Sequence, residues 1–457
     1  MAGSTGVVKS SVLMLIANIV AFAGGAVYWF LLARVVGLKA LGLGTGIVSA
    51  VGIASTLLGG GFGLALARLV AERGKEAPCA ALASLALSAA AATLSSLLSA
   101  MLGEPGAAWW GFSLGFIATL SALSVQLLVG LGRFGLLAVA HAAGNAAKVA
   151  VGLALGLAGY GVAAVLSGYL LHQLAVALAA FAAAGTACGL GSAYSLLRRV
   201  AALGASNTVY VAGNQLVQSL GVYVYAVVTG DHASTGLLYI GAMLAVVAAM
   251  PAGSLAAAAL HHSVREGREL AISSAPLGLL ASSAAAAALA ALTPLALALI
   301  GAGTGGGSVT AIRVLAVSGP LLGLLNIVVS ELNRRSDSRG IGLVAASRLL
   351  LLLVLFPPLA ARFGLLGAAV AFLASSAAAV LAAGTVDRRV PALAARALAA
   401  SLPGLLSPNG VLAAVLSAPV VVAASMLLGH LLLYPVPDGL RLVVASVLRP
   451  RGRGGED

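Results

Sequence analysis

The chain has 457 residues, of which 61% are hydrophobic and only 8% are charged. Because soluble domains carry about 25% charged residues, this composition excludes a water-soluble globular protein. The net charge of +13 comes from basic residues scattered in short connections. That pattern is typical of membrane proteins and argues against a nucleic-acid-binding domain.

Apolar runs long enough to span a hydrocarbon core, which takes about 20 residues, recur along the whole sequence. In lipid such runs satisfy their backbone polar groups as helices, and the short alternating segments of a barrel are not found. We therefore predict an all-α, polytopic transmembrane helix bundle. The first run follows Lys9 and is interpreted as an uncleaved helix. The predicted helices lie at 11–33, 41–66, 79–102, 107–131, 135–157, 161–185, 203–228, 234–260, 271–301, 309–331, 340–361, 364–385, 392–407 and 411–434, with a polar stretch at Arg198 and Arg199 between the sixth and seventh.

The distribution of positive charge tests this helix count. With the N-terminus in the cytoplasm, nineteen of the 25 Lys and Arg residues fall in inside connections and four, Arg34, Lys39, Arg313 and Arg362, fall outside. One missed helix would invert every later connection, so the bias favours fourteen helices with both termini cytoplasmic. Losing the last pair together would preserve the alternation, so twelve helices is the alternative. The expected location is the plasma membrane.

The layout also suggests an internal repeat. Six helices precede the Arg198/Arg199 stretch and six follow it, and each sixth helix begins at an aromatic–glycine corner, Tyr160-Gly161 or Phe363-Gly364. Many transporters consist of two such halves with the site between them. The predicted divisions are a six-helix half at 1–197, a second at 198–389, and an additional helix pair with a tail at 390–457.

Two cations lie well inside predicted helices. Lys148 is in the fifth helix and Arg348 is in the eleventh, which is the fifth of the second half. A charge at this depth costs about 2.5–3.5 kcal/mol on insertion scales and usually faces a cavity or a partner. Snorkelling towards the membrane surface is the alternative for both. The other side chains predicted to line a shared cavity are Asn18 on the first helix, His141 and Asn145 on the Lys148 face of the fifth, and Asn207, Asn214 and Gln218 on the seventh.

Ordinary structural roles compete with this interpretation. Amides between membrane helices often serve as hydrogen-bonding contacts worth about 0.6 kcal/mol each. His141 and His172 could simply pack in the interior. The sequence has no Walker loop, HExxH motif or clustered carboxylates, so we predict neither an enzyme nor a metal or cofactor site. Cys79 and Cys188 have no metal-binding or disulfide spacing and are interpreted as incidental small residues.

The segment from Leu32 to Glu72 resembles the N-terminal pattern of polysaccharide flippases in the multidrug/oligosaccharidyl-lipid/polysaccharide exporter superfamily. That pattern is an Arg-x-x-Gly corner followed closely by another glycine, and then a glycine-led segment that closes with arginine. Its matches here are Arg34, Gly37, Gly42, Gly63 and Arg68. Many members have a polar or acidic residue just before the later glycine, whereas this chain has Gly61-Phe62, which counts against ion coupling in this segment.

The resemblance implies a transporter that moves a polyprenyl-phosphate-linked oligosaccharide across the membrane by alternating access. It also implies that Arg34, Lys148 and Arg348 act towards an anionic head group. The expected partners are the lipid bilayer, the lipid-linked glycan and glycan-assembly enzymes, without nucleic acid, and the expected state is a monomer. Two alternatives remain: a cation-coupled multidrug exporter of the same superfamily, and a membrane glycan polymerase or transferase.

Overall fold

The structure is a computed structural model that describes residues 2–185, 188–266, 270–303, 306–335 and 337–433. Side chains are described within these ranges except at 2–23, 26, 205–207, 209–215, 257–266, 270–271, 306 and 333. This part of the chain is helical and contains no strand. The predicted all-α fold is therefore confirmed.

The helices follow one another with short connections. In chain order they are α1 Ala2–Ser55, α2 Gly61–Glu72, α3 Ala77–Ala100, α4 Ala107–Gly130, α5 Phe134–Leu157, α6 Val162–Ala184, α7 Leu190–Thr229, α8 His232–Glu266, α9 Leu270–Ser273, α10 Ala275–Ala291, α11 Thr293–Leu299, α12 Gly306–Val317, α13 Gly319–Arg334, α14 Ser338–Gly384, α15 Arg389–Leu405 and α16 Val411–Leu433. A π-helical turn, Thr56–Gly60, joins α1 to α2.

Glycines with non-helical backbone divide the two longest helices. Gly37 breaks α1 at φ 80°, and Gly364 breaks α14 at φ 56°. When the chain is divided at these glycines and neighbouring short helices are joined, the described helices correspond to the fourteen predicted segments, including the last pair. Nine helices among the described residues are long and apolar enough to cross a membrane, and the pair α10–α11, bent by 52°, could provide a tenth. The chain is therefore a multi-pass membrane protein.

The two aromatic–glycine corners have similar backbone conformations. Gly161 has φ 50° and ψ −115°, and Gly364 has φ 56° and ψ −136°. Both lie in the region of positive φ that favours glycine, which explains why each corner has this residue. The similarity agrees with an internal repeat, while the divisions at 197 and 389 stay predictions.

Two details of the predicted layout are wrong. Arg198 and Arg199 do not interrupt the helices, because α7 begins at Leu190 and includes them. This stretch is amphipathic: Leu196 and Val200 are buried. Arg313, assigned to an outside connection, lies within α12 and is only 5% exposed.

The chain divides into two compact units. The first comprises 1–240, 299–303 and 352–368, and the second comprises 241–298, 304–351 and 369–457. In the first unit, α5 packs against α1 and α6, and α3 packs against α4. In the second unit, α10 lies at the centre and packs against α12, α13, α15 and α16. α16 exposes large apolar side chains such as Leu416 and Val420, each 69% exposed, which suits a surface that faces lipid.

Within the first unit, the two cysteines form a disulfide. Cys79 and Cys188 are 109 residues apart and their Cα atoms are 5.2 Å apart. Beside them, Arg199 forms an ion pair with Glu76 at 2.9 Å. The prediction that the cysteines are incidental is therefore wrong. Both contacts join the start of α3 to the region around the start of α7, a proximity that the spacing in the sequence does not reveal.

Candidate functional site

The buried amine of Lys148 lies among aromatic rings in the first unit. Lys148 is 4% exposed. Its Nζ lies 4.4 Å from the ring centre of Tyr28, 5.2 Å from that of Trp29 and 5.3 Å from that of Tyr169. We call these three rings the Lys148 cage. Cation–π attraction is worth about 0.5–1 kcal/mol at exposed sites and about 2 kcal/mol or more when water is excluded, so the cage favours the charged amine in the interior.

Close helix contacts fix the Tyr28 ring of the cage. Its hydroxyl donates a hydrogen bond to the backbone oxygen of Val165 on α6 at 2.6 Å. Gly152 on α5 and Gly168 on α6 leave space for the ring, since a Cβ at either position would lie 2.6 Å or less from a Tyr28 atom. A Cβ at Gly168 would also lie 2.7 Å from the Lys148 backbone oxygen. The three helices α1, α5 and α6 therefore position the cage together.

Carboxylates are scarce around the cage. The first 230 residues contain only three acidic residues. Each of them contacts a basic side chain other than Lys148, at a helix end or in a connection. The contacts are Glu72 with Arg68, Glu76 with Arg73 and Arg199, and Glu104 with His232 at 3.5 Å. With the residues that the structure describes, the Lys148 amine forms no hydrogen bond or ion pair. Aromatic rings surround the amine, and its N–H groups are available to an acceptor.

Two further predicted residues lie close to Lys148 on α5. Asn145 is 6% exposed and packs against α1 at Gly24, where a Cβ would come within 2.5 Å of the Asn145 side chain. The Nδ1 of His141 lies 3.3 Å from the Nε2 of His172 on α6. The structure therefore brings together Lys148, Asn145 and His141 on one side of α5, as the helical spacing predicts.

The remaining predicted site residues of the first unit lie elsewhere or outside the description. Arg34 is exposed near the end of the first helical segment, with its guanidinium beside Gly301. Gln218 is half-buried on α7, and no described contact joins it to the cage. The side chains of Asn18, Asn207 and Asn214 lie outside the described residues, so their roles stay predictions.

Arg348 belongs to the second unit. It lies on α14 and is 4% exposed, so it is as deeply buried as the sequence predicts. Its action on a substrate stays a prediction. Within the described part of the chain, no three His, Cys, Asp or Glu side chains come together as a metal site would require.

The sequence reasoning missed the cage itself. The helical spacing predicts that Trp29 shares one side of the first helix with Asn18, but it assigns no role to Tyr28 and Tyr169. A signal was present, since aromatic residues make up only 5% of the chain and Tyr28-Trp29 are adjacent in it. Tyr239 on α8 extends the group, with its ring centre 4.9 Å from that of Trp29.

Comparisons with known proteins identify the fold. No protein-family model and no curated protein matches the sequence. The fold is similar to that of the lipid II flippase MurJ in an inward closed conformation, with 13% identity and a TM-score of 0.71 over 96% of this chain and 100% of that one. It is also similar to an inward-facing multidrug resistance MATE transporter, with 16% identity and a TM-score of 0.60 over 84% and 98% of the two chains. A MOP superfamily transporter from Pyrococcus furiosus gives 16% identity and a TM-score of 0.53 over 85% and 96%.

These neighbours confirm, at the level of the fold, the resemblance found in the sequence. The first is a flippase and the second is a multidrug resistance transporter. The protein therefore has the fold of the transporters of the multidrug/oligosaccharidyl-lipid/polysaccharide superfamily.

Proposed function

We propose that the protein flips a polyprenyl-phosphate-linked oligosaccharide across the cytoplasmic membrane by alternating access. The observation that carries this proposal is the caged Lys148: a buried amine with available N–H groups and no carboxylate beside it among the described residues. Such a site suits the oxygens of a phosphate or diphosphate head group, which accept charge-assisted hydrogen bonds. The fold shared with a lipid II flippase supports the same substrate class.

The roles of the parts follow from this chemistry. Lys148 binds the phosphate groups, and Arg348 stays a predicted contact of the head group. The rings of Tyr28, Trp29 and Tyr169 keep the amine charged without using its N–H groups. Asn145 and His141 supply polar contacts to sugars. The lipid tail stays in the bilayer.

The membrane potential would drive the movement. A negative head group that moves outward from a negative interior gains about 2.3 kcal/mol per charge per 100 mV. Flipping in sealed vesicles should therefore accelerate when an outside-positive potential is imposed. An unchanged rate after the potential is collapsed would contradict this part of the proposal.

The similarity to multidrug transporters makes a cation-coupled exporter the second candidate. Two observations count against it in this chain. The cage that could hold a cationic drug is already filled by Lys148, and the three acidic residues of the first 230 all contact other basic side chains.

The test measures flipping in proteoliposomes. A fluorescent polyprenyl-diphosphate oligosaccharide is included, and an impermeant quencher reports the fraction in the outer leaflet. Lys148→Met should slow flipping about 30-fold to several thousandfold, because losing one partner of a desolvated charge pair costs about 2–5 kcal/mol and each 1.4 kcal/mol is tenfold.

The matched control is Lys39→Met, which removes an exposed lysine and should leave the flipping rate unchanged. If wild type does not move the glycolipid but does export cationic dyes, the exporter is the correct function. If Lys148→Met flips normally, the anion site is placed wrongly.

A further inference from the structure

Two histidines next to the cage, His141 and His172, form a pair whose mutual contact plays no part in the proposed flipping. Beyond the 3.3 Å contact between the His141 Nδ1 and the His172 Nε2, the two rings stack with centres 5.4 Å apart and planes 25° apart. His172 is 9% exposed, and His141 is half-buried. One imidazole must donate to the other at this contact, so the two rings share a proton position.

The pair belongs to the same helix contact as the cage. His141 and Lys148 are seven residues apart on α5, and Tyr169 and His172 are three apart on α6, so each helix presents both groups on one side. Gly144 allows the approach of the helices here, since a Cβ at this position would lie 3.0 Å from the His172 backbone oxygen. An anion at Lys148 would therefore lie within reach of the electrostatic influence of the pair.

The helices around the pair carry few titratable groups. α5 contributes Lys148, α6 contributes Tyr169, and the described side chains of α1 contribute Tyr28 on this side. α4 has no charged or titratable residue, and α3 has only Cys79, which is in the disulfide. Lys9 on α1 lies outside the described side chains. Among the described residues, Lys148 is thus the charge that acts on the pair. It opposes protonation of the histidines until an anion neutralises it.

Protonation changes what the pair can donate. Two neutral imidazoles have two N–H groups, one of which is used between the rings. A protonated pair has three, so both outer nitrogens become donors. One outer nitrogen, the His172 Nδ1, is buried and has no hydrogen-bond partner among the described residues. A buried nitrogen in this position needs an acceptor when it is protonated.

We propose that the His141–His172 pair is a proton-binding site coupled to anion binding at Lys148. The proton comes from bulk water and binds the free imidazole lone pair when a phosphate group neutralises Lys148. This inference rests on the proposed anion site and adds a proton as its co-ligand. Imidazole is the side chain whose ordinary pKa allows such a change between pH 5 and 8.

The coupling has a definite sign. Because each ligand favours the other, anion affinity rises as the pH falls, and anion binding draws a proton from solution. Typical coupling changes affinity about 5- to 150-fold. A pair that is only structural would bind no proton on addition of the anion.

Calorimetry of the full chain in detergent tests this with inorganic pyrophosphate as the probe. Titrations at pH 6, 7 and 8 in two buffers of different ionisation enthalpy give both the affinity and the number of protons taken up. The variants are His141→Gln, the double variant His141→Gln/His172→Gln, and Lys148→Met. His232→Gln is the control, since His232 lies beside Glu104 in another connection.

We expect wild type and His232→Gln to take up more protons than the double variant, by up to one. We also expect their affinity gain from pH 8 to pH 6 to exceed that of the double variant about 5- to 150-fold. The comparison between variants removes the titration of pyrophosphate itself. His141→Gln changes a half-buried position and gives the same readout if the double variant does not fold.

Equal proton uptake by wild type and the histidine variants would overturn the inference while leaving the anion site intact. If Lys148→Met binds pyrophosphate as tightly as wild type, the anion site of the proposed function is wrong, and the coupling is overturned with it.

Discussion

Lys148 in the first unit and Arg313 in the second are buried to nearly the same extent, 4% and 5% exposed, yet their surroundings differ. The Arg313 guanidinium donates to the backbone oxygens of Ala290 at 3.1 Å and Pro408 at 2.8 Å, and to the Asn409 side chain at 2.8 Å. It ties α12 to α10 and to the connection between α15 and α16. Lys148 instead has rings around it and no described hydrogen bond.

The comparison teaches that depth alone does not assign a role to a charge in a membrane protein. A cation whose N–H groups are used by the protein stabilises the fold. A cation held by aromatic faces keeps those groups available to a ligand. The two predicted roles can therefore be separated by measuring stability and transport on the same variants.

The largest effect on stability should come from Arg313→Met. It removes three hydrogen bonds from a charged donor, each worth about 1.5–3 kcal/mol. Water can replace the two bonds to the exposed connection. We therefore expect the free energy of unfolding to fall by about 2–4 kcal/mol. Thermal unfolding in detergent measures it. Lys148→Met also replaces a buried basic side chain by methionine, but it removes no described hydrogen bond. This variant should therefore unfold at or above the wild-type temperature. Equal destabilisation by both variants would remove the distinction.

Gly168→Ala should have the next largest effect. The new Cβ would lie 2.5 Å from the Tyr28 hydroxyl oxygen, so the ring or α6 must shift, at a cost of about 1–3 kcal/mol. We expect a lower unfolding temperature together with slower flipping. The control is Gly25→Ala on α1, where a Cβ meets nothing within 4 Å. A neutral Gly168→Ala would show that the cage is looser than described.

Tyr28→Phe should have a smaller effect, because it keeps the ring over Lys148 and removes only the hydroxyl, which donates to the backbone oxygens of Val165 at 2.6 Å and Ala164 at 3.2 Å. We expect a loss of about 1 kcal/mol in stability and flipping within a few-fold of wild type. Tyr160→Phe, at a side chain that is 62% exposed, serves as the control. Loss of flipping in Tyr28→Phe at normal stability would mean that the hydroxyl contacts the substrate.

The smallest effect concerns Asp387 in the connection before α15. The hydrogen bond from Arg389, at 2.6 Å, lowers the pKa of the Asp387 carboxyl. A lowered pKa contributes stability above the ordinary aspartate value of about 3.9, and this contribution is lost as the pH falls through the lowered pKa. Asp387→Asn should cost less than about 1 kcal/mol at pH 6. Its difference from wild type should shrink towards pH 2.5, and a constant difference would show that the charge is not responsible.

Periodicity and length predicted the fold because each apolar segment is a local property of the chain. The corners at Gly161 and Gly364 were also visible, since glycine after an aromatic residue precedes both helices. The burial of Lys148 and its alignment with His141 followed from helical spacing alone.

The cage and the disulfide depend on contacts between distant parts of the chain. Tyr28 and Val165 are 137 residues apart, and the two cysteines are 109 apart, so neither contact leaves a local pattern. The assignment of Arg313 to an outside connection was wrong for the same reason. Its partner Pro408 lies 95 residues later in the chain.

The Cys79–Cys188 bond closes a covalent ring that contains α3, α4, α5 and α6, and therefore two of the helices that build the cage. A protease that cuts one connection inside this ring, such as that at 101–106, leaves both fragments in one molecule until a reductant is added. Reducing and non-reducing gels of nicked protein would then give different fragment patterns. The same ring allows a tag or cleavage site to be inserted between these helices without letting the fragments separate.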